Sequence, residues 1–373
     1  MLRELADTRW VLAGAIGLPT NPNRGRYHVS IFFSDDDNAA EDSPPNGSRS
    51  TRRPMLVALL AVIALVGVGS LIAGVLYVVA IDRAVNQNLQ HASDQLPAET
   101  PSANGETPRP KRTGEAINYV LLGSDSRSTD SAGGRSDVLM VMHLSGDRES
   151  AYMISFPRDM YVPIPGHGKD KINAAFAYGG PPLTVRTLEG MLGTRMDHVA
   201  LIDFEGFINL TQELGGVTVY NKYPSVSAGY KFPVGNVTVQ GEEALAYVRE
   251  RKQLPHGDLD RAERQRAVLQ AILAKGLAKE TISNPLKFVS FVRGVSRHVT
   301  VDDQLTDAQL RKTALSLRLT PSDIHMLQAP ISGFSTSPAN QSIDIVDQKK
   351  LKELAKALQT DQMAEYLQKY PEG

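Results

Sequence analysis

The stretch Ile117-Asn118-Tyr119-Val120-Leu121-Leu122-Gly123-Ser124-Asp125-Ser126-Arg127 runs a mostly apolar segment into a glycine and then a polar turn. A short apolar run closed by a turn residue reads as a buried strand. Two further runs follow closely, residues 138–144 and residues 151–156, the second closed by Pro157. Helical patterns then take over at residues 183–192, 204–214 and 260–279, with a helix-like stretch at 242–248. Strands are expected again at 217–220 and 324–328, and a last helix at 348–368. Strands interleaved with helices predict an α/β domain, a mixed central sheet covered by helices on both sides in three α-β-α layers. Asp260 and Glu263 have capping-box spacing, with Asp in place of Ser or Thr, so a helix is expected to start there.

Upstream of this domain, residues 55–81 contain no charge over 27 positions. As a helix they would cover about 40 Å, against about 30 Å for a hydrocarbon core. The reading is one transmembrane helix at 54–81 preceding the domain. Arg49, Arg52 and Arg53 flank it upstream, so the N-terminus is expected in the cytoplasm and the bulk of the chain outside. Residues 1–53 read as a solvated tail. Residues 82–112, with Pro97, Pro101, Pro108 and Pro110, read as a linker of roughly 30 Å. Residues 113–373 are then one globular unit. Lys and Arg number 40 against 41 Asp and Glu, so there is no overall basic field to hold nucleic acid. Cysteine is absent, which excludes disulfides, thiolate zinc sites, iron–sulfur clusters and cysteine nucleophiles.

The common catalytic motifs fail. Gly166-His167-Gly168-Lys169 resembles part of a phosphate loop, but Asp170 stands where Ser or Thr belongs and the upstream glycine is missing. There is no G-x-S-x-G elbow, and no histidine pair has H-x-x-x-H spacing. Arg127 interrupts any EF-hand ligand series after Asp125.

What remains is a set of Arg and Asp residues placed where apolar elements end. Asp125 follows the first strand, Arg135 and Asp137 open the second, and Arg158 and Asp159 follow the third. Arg249 and Arg251 follow the stretch 242–248, while Arg261 and Gln265 are four apart on one helix face. Guanidinium forks fit phosphate oxygens in bidentate fashion, and several suit a pyrophosphate. Asp125 and Asp137 are candidate Mg²⁺ ligands, since Mg²⁺ takes few carboxylates and completes its shell with phosphate oxygens and water. Strand ends of an α/β sheet are where such ligands bind.

At these residues the chain resembles the LytR-CpsA-Psr family of bacterial cell-envelope proteins. The matching stretches are residues 120–127 (VLLGSDSR), 134–140 (GRSDVLM), 154–163 (ISFPRDMYVP), 169–176 (KDKINAAF) and 203–207 (DFEGF). Further on come 214–217 (LGGV), 244–251 (ALAYVRER) and 257–265 (GDLDRAERQ), while residues 280–373 carry no signature. The resemblance implies a membrane-anchored phosphotransferase. It would move a glycopolymer from a polyprenyl-pyrophosphate carrier onto a peptidoglycan hydroxyl, forming a phosphodiester, at the outer face of the bacterial cell membrane. By the match, Asp125 and Asp137 would bind Mg²⁺ or Mn²⁺, and Arg135, Arg158, Arg249, Arg251, Arg261 and Gln265 would contact the pyrophosphate. Arg135, Arg158 and Asp159 would be catalytic, with Asp159 orienting arginines or serving as base, and the lipid tail in an apolar pocket. The alternatives are a polyprenyl-pyrophosphate phosphatase with the same site and a non-enzymatic envelope regulator or scaffold.

Overall fold

A computed structural model describes residues 70, 74–99, 108–124 and 136–371, Asp137 by its backbone alone. In chain order the elements begin with β1 (Gln90–Ala92), β2 (Ile117–Ser124), β3 (Ser136–Leu144), β4 (Ala151–Ser155), β5 (Tyr161–Ile164), β6 (Gly168–Lys171) and α1 (Ala174–Leu192). Next come β7 (His198–Asp203), α2 (Phe204–Glu213), β8 (Val217–Asn221), β9 (Ser225–Ser227), β10 (Tyr230–Phe232), β11 (Gly235–Val239), α3 (Gly241–Arg249) and α4 (Asp258–Leu277). Then follow α5 (Lys279–Ile282), α6 (Pro285–His298), β12 (Thr300–Asp302), α7 (Asp307–Ser316), β13 (Ile324–Gln328), β14 (Ile331–Thr336), β15 (Ser342–Val346), α8 (Gln348–Thr360) and α9 (Met363–Lys369).

The main sheet is mixed and runs β1-β12-β7-β2-β3-β4-β13. Side chains alternate across it, as the two-residue period of a strand requires. Val120 and Leu122 of β2 join Leu139, Val141, Ile154 and Val199 in a cluster closed by Val185 and Leu188 of α1 and Leu351 and Leu354 of α8. Tyr119 and Leu121 turn the other way, toward Val301, Leu305 and Leu310. A separate cluster joins α2, α3 and α4 to the β8–β11 pair through Leu210, Val219, Phe232, Tyr247 and Val268. The result is a mixed central sheet flanked by helices.

Topology puts five chain segments at one edge of the sheet. β2 and β7 are parallel, β3 is antiparallel to β2 and to β4, and β4 is parallel to β13. The carboxyl ends of β2, β4, β7 and β13 therefore line up with the amino end of β3.

Several details differ from the sequence reading. α4 starts at Asp258 with Gly257 as its N-cap, two residues before the expected Asp260. The Asp260–Glu263 capping box is not formed. Asp260 instead accepts the His256 N–H at 2.7 Å, and Glu263 pairs with Lys222. The Gly166–Lys169 stretch is the turn of the β5–β6 hairpin, where Gly166 and Gly168 adopt φ of 78° and 73°. The helix expected at 183–192 begins already at Ala174, with a kink at Gly179 and Gly180 before Pro181. The last helix is two, parted at Asp361, whose φ is 55°.

Part of the expected linker is packed into the fold: β1 pairs with β12, and Arg109 is buried against Glu189. No described helix is long and apolar enough to cross a membrane, and residues 54–69 and 71–73 of the expected span lie outside the described residues. Its last residues, 74–81, are helical, with Val75 and Leu76 exposed.

Candidate active site

β4 ends at Ser155, and Arg158 and Asp159 follow it, after Pro157, at the sheet edge. Across from them stands the first turn of α4. Asp258 there gathers three cations: Arg158 Nε at 3.2 Å, Arg261 Nη2 at 2.8 Å and Arg251 Nη1 at 3.9 Å. Arg261 is buried, Arg158 and Asp258 nearly so, and Arg251 about half exposed. Lys171, at the end of β6, adds a fourth cation and meets Asp159 Oδ1 at 2.9 Å, while Arg158 Nε lies 3.8 Å from Asp159 Oδ2. Segments far apart in the chain thus bring Arg158, Asp159, Arg251 and Arg261 into one cluster, with Asp258 as its hub.

Arg249 and Gln265 occupy its flank. The Arg249 guanidinium lies 4.7 Å over the ring of Phe204, the first residue after β7. Gln265 Nε2 donates to the Val248 carbonyl at 3.3 Å, tying α4 to the end of α3 that carries Arg249 and Arg251. Asp125 and Arg135, and the side chain of Asp137, lie outside the described residues. Their neighbours in the chain, Ser124 and Ser136, are paired across the edge described above.

Two cations and two acids escaped the sequence reading of the site. Arg266 reaches from α4 to Ser155 Oγ at 2.6 Å, at the end of β4, and burial lowers its pKa. Lys171 came with a matched stretch but without a role. Asp258 lay inside the stretch 257–265, and its position at the start of a helix is the signal that could have found it. Asp344, on β15, had no local signal. Burial first, then the carboxylates of Asp159 and Asp258, push it up to about 6, with Lys171 acting against them.

Arg264, next to these residues in sequence, is structural. It stacks 4.4 Å over Tyr247 and donates to Asn221 Oδ1, the Tyr223 carbonyl and Ser225 Oγ, inside the cluster that holds α4 in place.

The LytR_cpsA_psr family model matches residues 75–360, which spans both the sheet and the arginine cluster. The chain belongs to the LytR_cpsA_psr family. A family relative from Bacillus mycoides, named polyisoprenyl-teichoic acid–peptidoglycan teichoic acid transferase TagU, is 34% identical over 252 residues, or 67% of this chain and 82% of its own length. Among solved structures, B. subtilis TagV matches with a TM-score of 0.58 at 28% identity, covering 67% of this chain and 98% of its own. A structure described as TagT bound to LIIa-WTA matches with a TM-score of 0.54 at 33% identity, covering 71% and 99%. The family match reaches back to residue 75, so β1 and the helical residues before it belong to the same unit.

Proposed function

We propose that the chain is a phosphotransferase that moves a glycopolymer from a polyprenyl-pyrophosphate carrier to a peptidoglycan hydroxyl, forming a phosphodiester. The observation that carries this reading is the meeting of Arg158, Arg251 and Arg261 at Asp258, at the edge where the strands end. Such a cluster is preorganised for a diphosphate, because its guanidinium groups are already held in place before an anion arrives. The name carried by the TagU relatives supports the substrate class, a polyisoprenyl-linked teichoic acid and peptidoglycan. Which glycopolymer this chain carries is a separate choice within that class.

In the reaction, the acceptor oxygen attacks the phosphorus bonded to the glycan. The bond from that phosphorus to the bridging oxygen breaks, and polyprenyl phosphate leaves with the electron pair. Little covalent chemistry is asked of the protein, so positioning and charge stabilisation carry the rate. Arg158, Arg251 and Arg261 would spread the developing charge, Arg135 and Arg249 would add further phosphate contacts as the family resemblance implies, and Gln265 steadies the α3 end. Asp159 holds Lys171 and Arg158 in register. The domain would work at the outer face of the bacterial cell membrane, anchored by a single span at 54–81 with the N-terminus in the cytoplasm.

Asp125 and Asp137 are the residues that would hold Mg²⁺ or Mn²⁺. Two carboxylates completed by phosphate oxygens suit Mg²⁺. Bound there, the ion would neutralise diphosphate oxygens. Chelation is therefore expected to abolish transfer, with Mg²⁺ restoring it. Asp137→Ala should need far more Mg²⁺ for the same rate in a metal titration.

The deciding experiment incubates full-length protein with lipid-linked glycan, with and without peptidoglycan. Glycan joined to peptidoglycan through phosphate is expected. Release of free glycan phosphate at the same rate without acceptor would mean a phosphatase, and binding of the donor without any turnover would mean a scaffold.

Asp258 gives a second test of the same reading. It orders three guanidiniums but also competes with the substrate for them. Asp258→Asn should lower kcat by roughly tenfold to a hundredfold through misplacement of those groups. Donor KM should not rise, because the cluster becomes more positive. A large rise in KM with kcat intact would show that Asp258 does not act through the arginines.

A further inference from the structure

The strand β15 brings a third acid to the cluster. Asp344 is 6% exposed and sits in mid-strand. Its backbone N–H donates to the Asp159 carbonyl at 2.8 Å, and it forms a parallel bridge with Met160. The backbone thus fixes Asp344 against the loop that carries Arg158 and Asp159. Its Oδ2 atom is buried and has no hydrogen-bond partner among the described residues. A buried polar atom left without a partner is costly, and its presence calls for an explanation.

The charged groups facing Asp344 are Asp159 before β5, Asp258 on α4 and Lys171 on β6. Of the strands packed on β15, β14 has no ionisable side chain and β5 has only Tyr161. Asp159 and Asp344, joined through the backbone, are in different states of engagement. Asp159 already holds Lys171 through Oδ1 at 2.9 Å, with Arg158 Nε 3.8 Å from Oδ2, and both cations hold its charge in place. Asp344 has no such contact to lose.

We propose that Asp344 is the general base of the transfer reaction, taking the proton of the acceptor hydroxyl while Asp159 positions Lys171 and Arg158. The assignment rests on the transferase reading given above. The acceptor's O–H proton passes to the Asp344 carboxylate as its oxygen forms the new bond to phosphorus. The electron pair of the broken P–O bond leaves with polyprenyl phosphate, and Asp344 later returns its proton to water. Burial beside two carboxylates, which pushes Asp344 up to about 6, suits a base that must be ionised yet still proton-hungry near neutral pH.

The test is the pH profile of transfer by full-length protein, with lipid-linked glycan and a peptidoglycan fragment, between about pH 5 and 9. Wild type should show an acid limb near pH 6. Asp344→Asn should lower kcat by about 10²- to 10⁴-fold and lose that limb, with donor KM within about twofold of wild type. Asp344→Glu, which keeps a carboxyl, should regain part of the rate together with a limb.

Folding is checked separately by melting. A carboxyl whose pKa is raised by folding binds more protons in the native state, so its contribution makes the protein less stable as pH rises from about 4 to about 6. Asp344→Asn should therefore melt no lower than wild type at pH 7 and lack that part of the slope. A rate within about threefold of wild type in Asp344→Asn would overturn the proposal. So would an acid limb that survives Asp344→Asn. Wild-type protein that binds donor but transfers nothing would instead overturn the transferase reading, and it would do so before any variant is made.

Discussion

Arg158→Ala is expected to lower transfer by about 10³-fold or more, with a smaller effect on donor binding. The side chain stands where β4 ends, buried to about five-sixths, with its Nε 3.2 Å from Asp258. Removing it takes away a charge that never deprotonates and a fork that spans two phosphate oxygens. It also leaves Asp258 with one cation fewer, so the remaining negative charge lies beside the place where the diphosphate must sit. Both effects grow in the transition state, as charge moves onto the leaving phosphate. Arg158→Lys separates them: it keeps the charge and loses the fork, and should fall between wild type and Arg158→Ala. The measurement is single-turnover transfer at saturating donor. Transfer unaffected by Arg158→Ala would remove Arg158 from the catalytic machinery and with it the arginine-cluster mechanism.

The largest effect on stability is expected from Arg109, in the segment read from sequence as linker. Its guanidinium is 1% exposed and binds Glu189 Oε1 through Nη2 at 2.8 Å and through Nε at 3.1 Å. It also donates to the Met196 carbonyl at 2.7 Å. Glu189, 4% exposed on α1, accepts the Met196 N–H at 3.0 Å as well. Three segments therefore meet at one buried ion pair. Breaking such a pair from one side strands a charge away from water, which costs about 3–5 kcal/mol. Arg109→Met should lower the unfolding free energy by about that amount, or roughly 10 °C in melting temperature. Replacing both partners, as Arg109→Met with Glu189→Leu, should recover much of the loss, because no charge remains buried. A single variant that melts with wild type would show that the pair is solvated in solution.

The sheet's centre was legible because β2, β3 and β4 are apolar runs closed by turn residues. β7 was not seen, although it lies between β12 and β2. Its run Val199-Ala200-Leu201-Ile202 is short and leads directly into the stronger helical pattern of α2, which masks it. α6 was missed despite a visible signal: Asn284 caps the N–H groups of Leu286 and Lys287, and Pro285 takes the first helical position. The β5–β6 hairpin was passed over because its glycines were weighed only as a phosphate loop.

At the site, Arg158, Asp159, Arg251 and Arg261 were legible because each follows or opens an element whose end the sequence marks. Their mutual distances were not, since the helix start at Asp258 decides which acid faces them. Asp344 lies 185 positions after Asp159 and meets it only because the β14–β15 hairpin returns the chain to Met160. No local pattern encodes that return.

Only Gln87, Asn88 and Leu89 separate helical residues 74–86 from β1, and β1 is hydrogen-bonded into the main sheet beside β12. Three residues cannot act as a swivel when Leu89 is itself packed under that sheet margin. The entry helix works as a handle rather than a rope. Turning it turns the whole sheet, so the angle at which this helix is held also fixes the direction in which the arginine cluster looks.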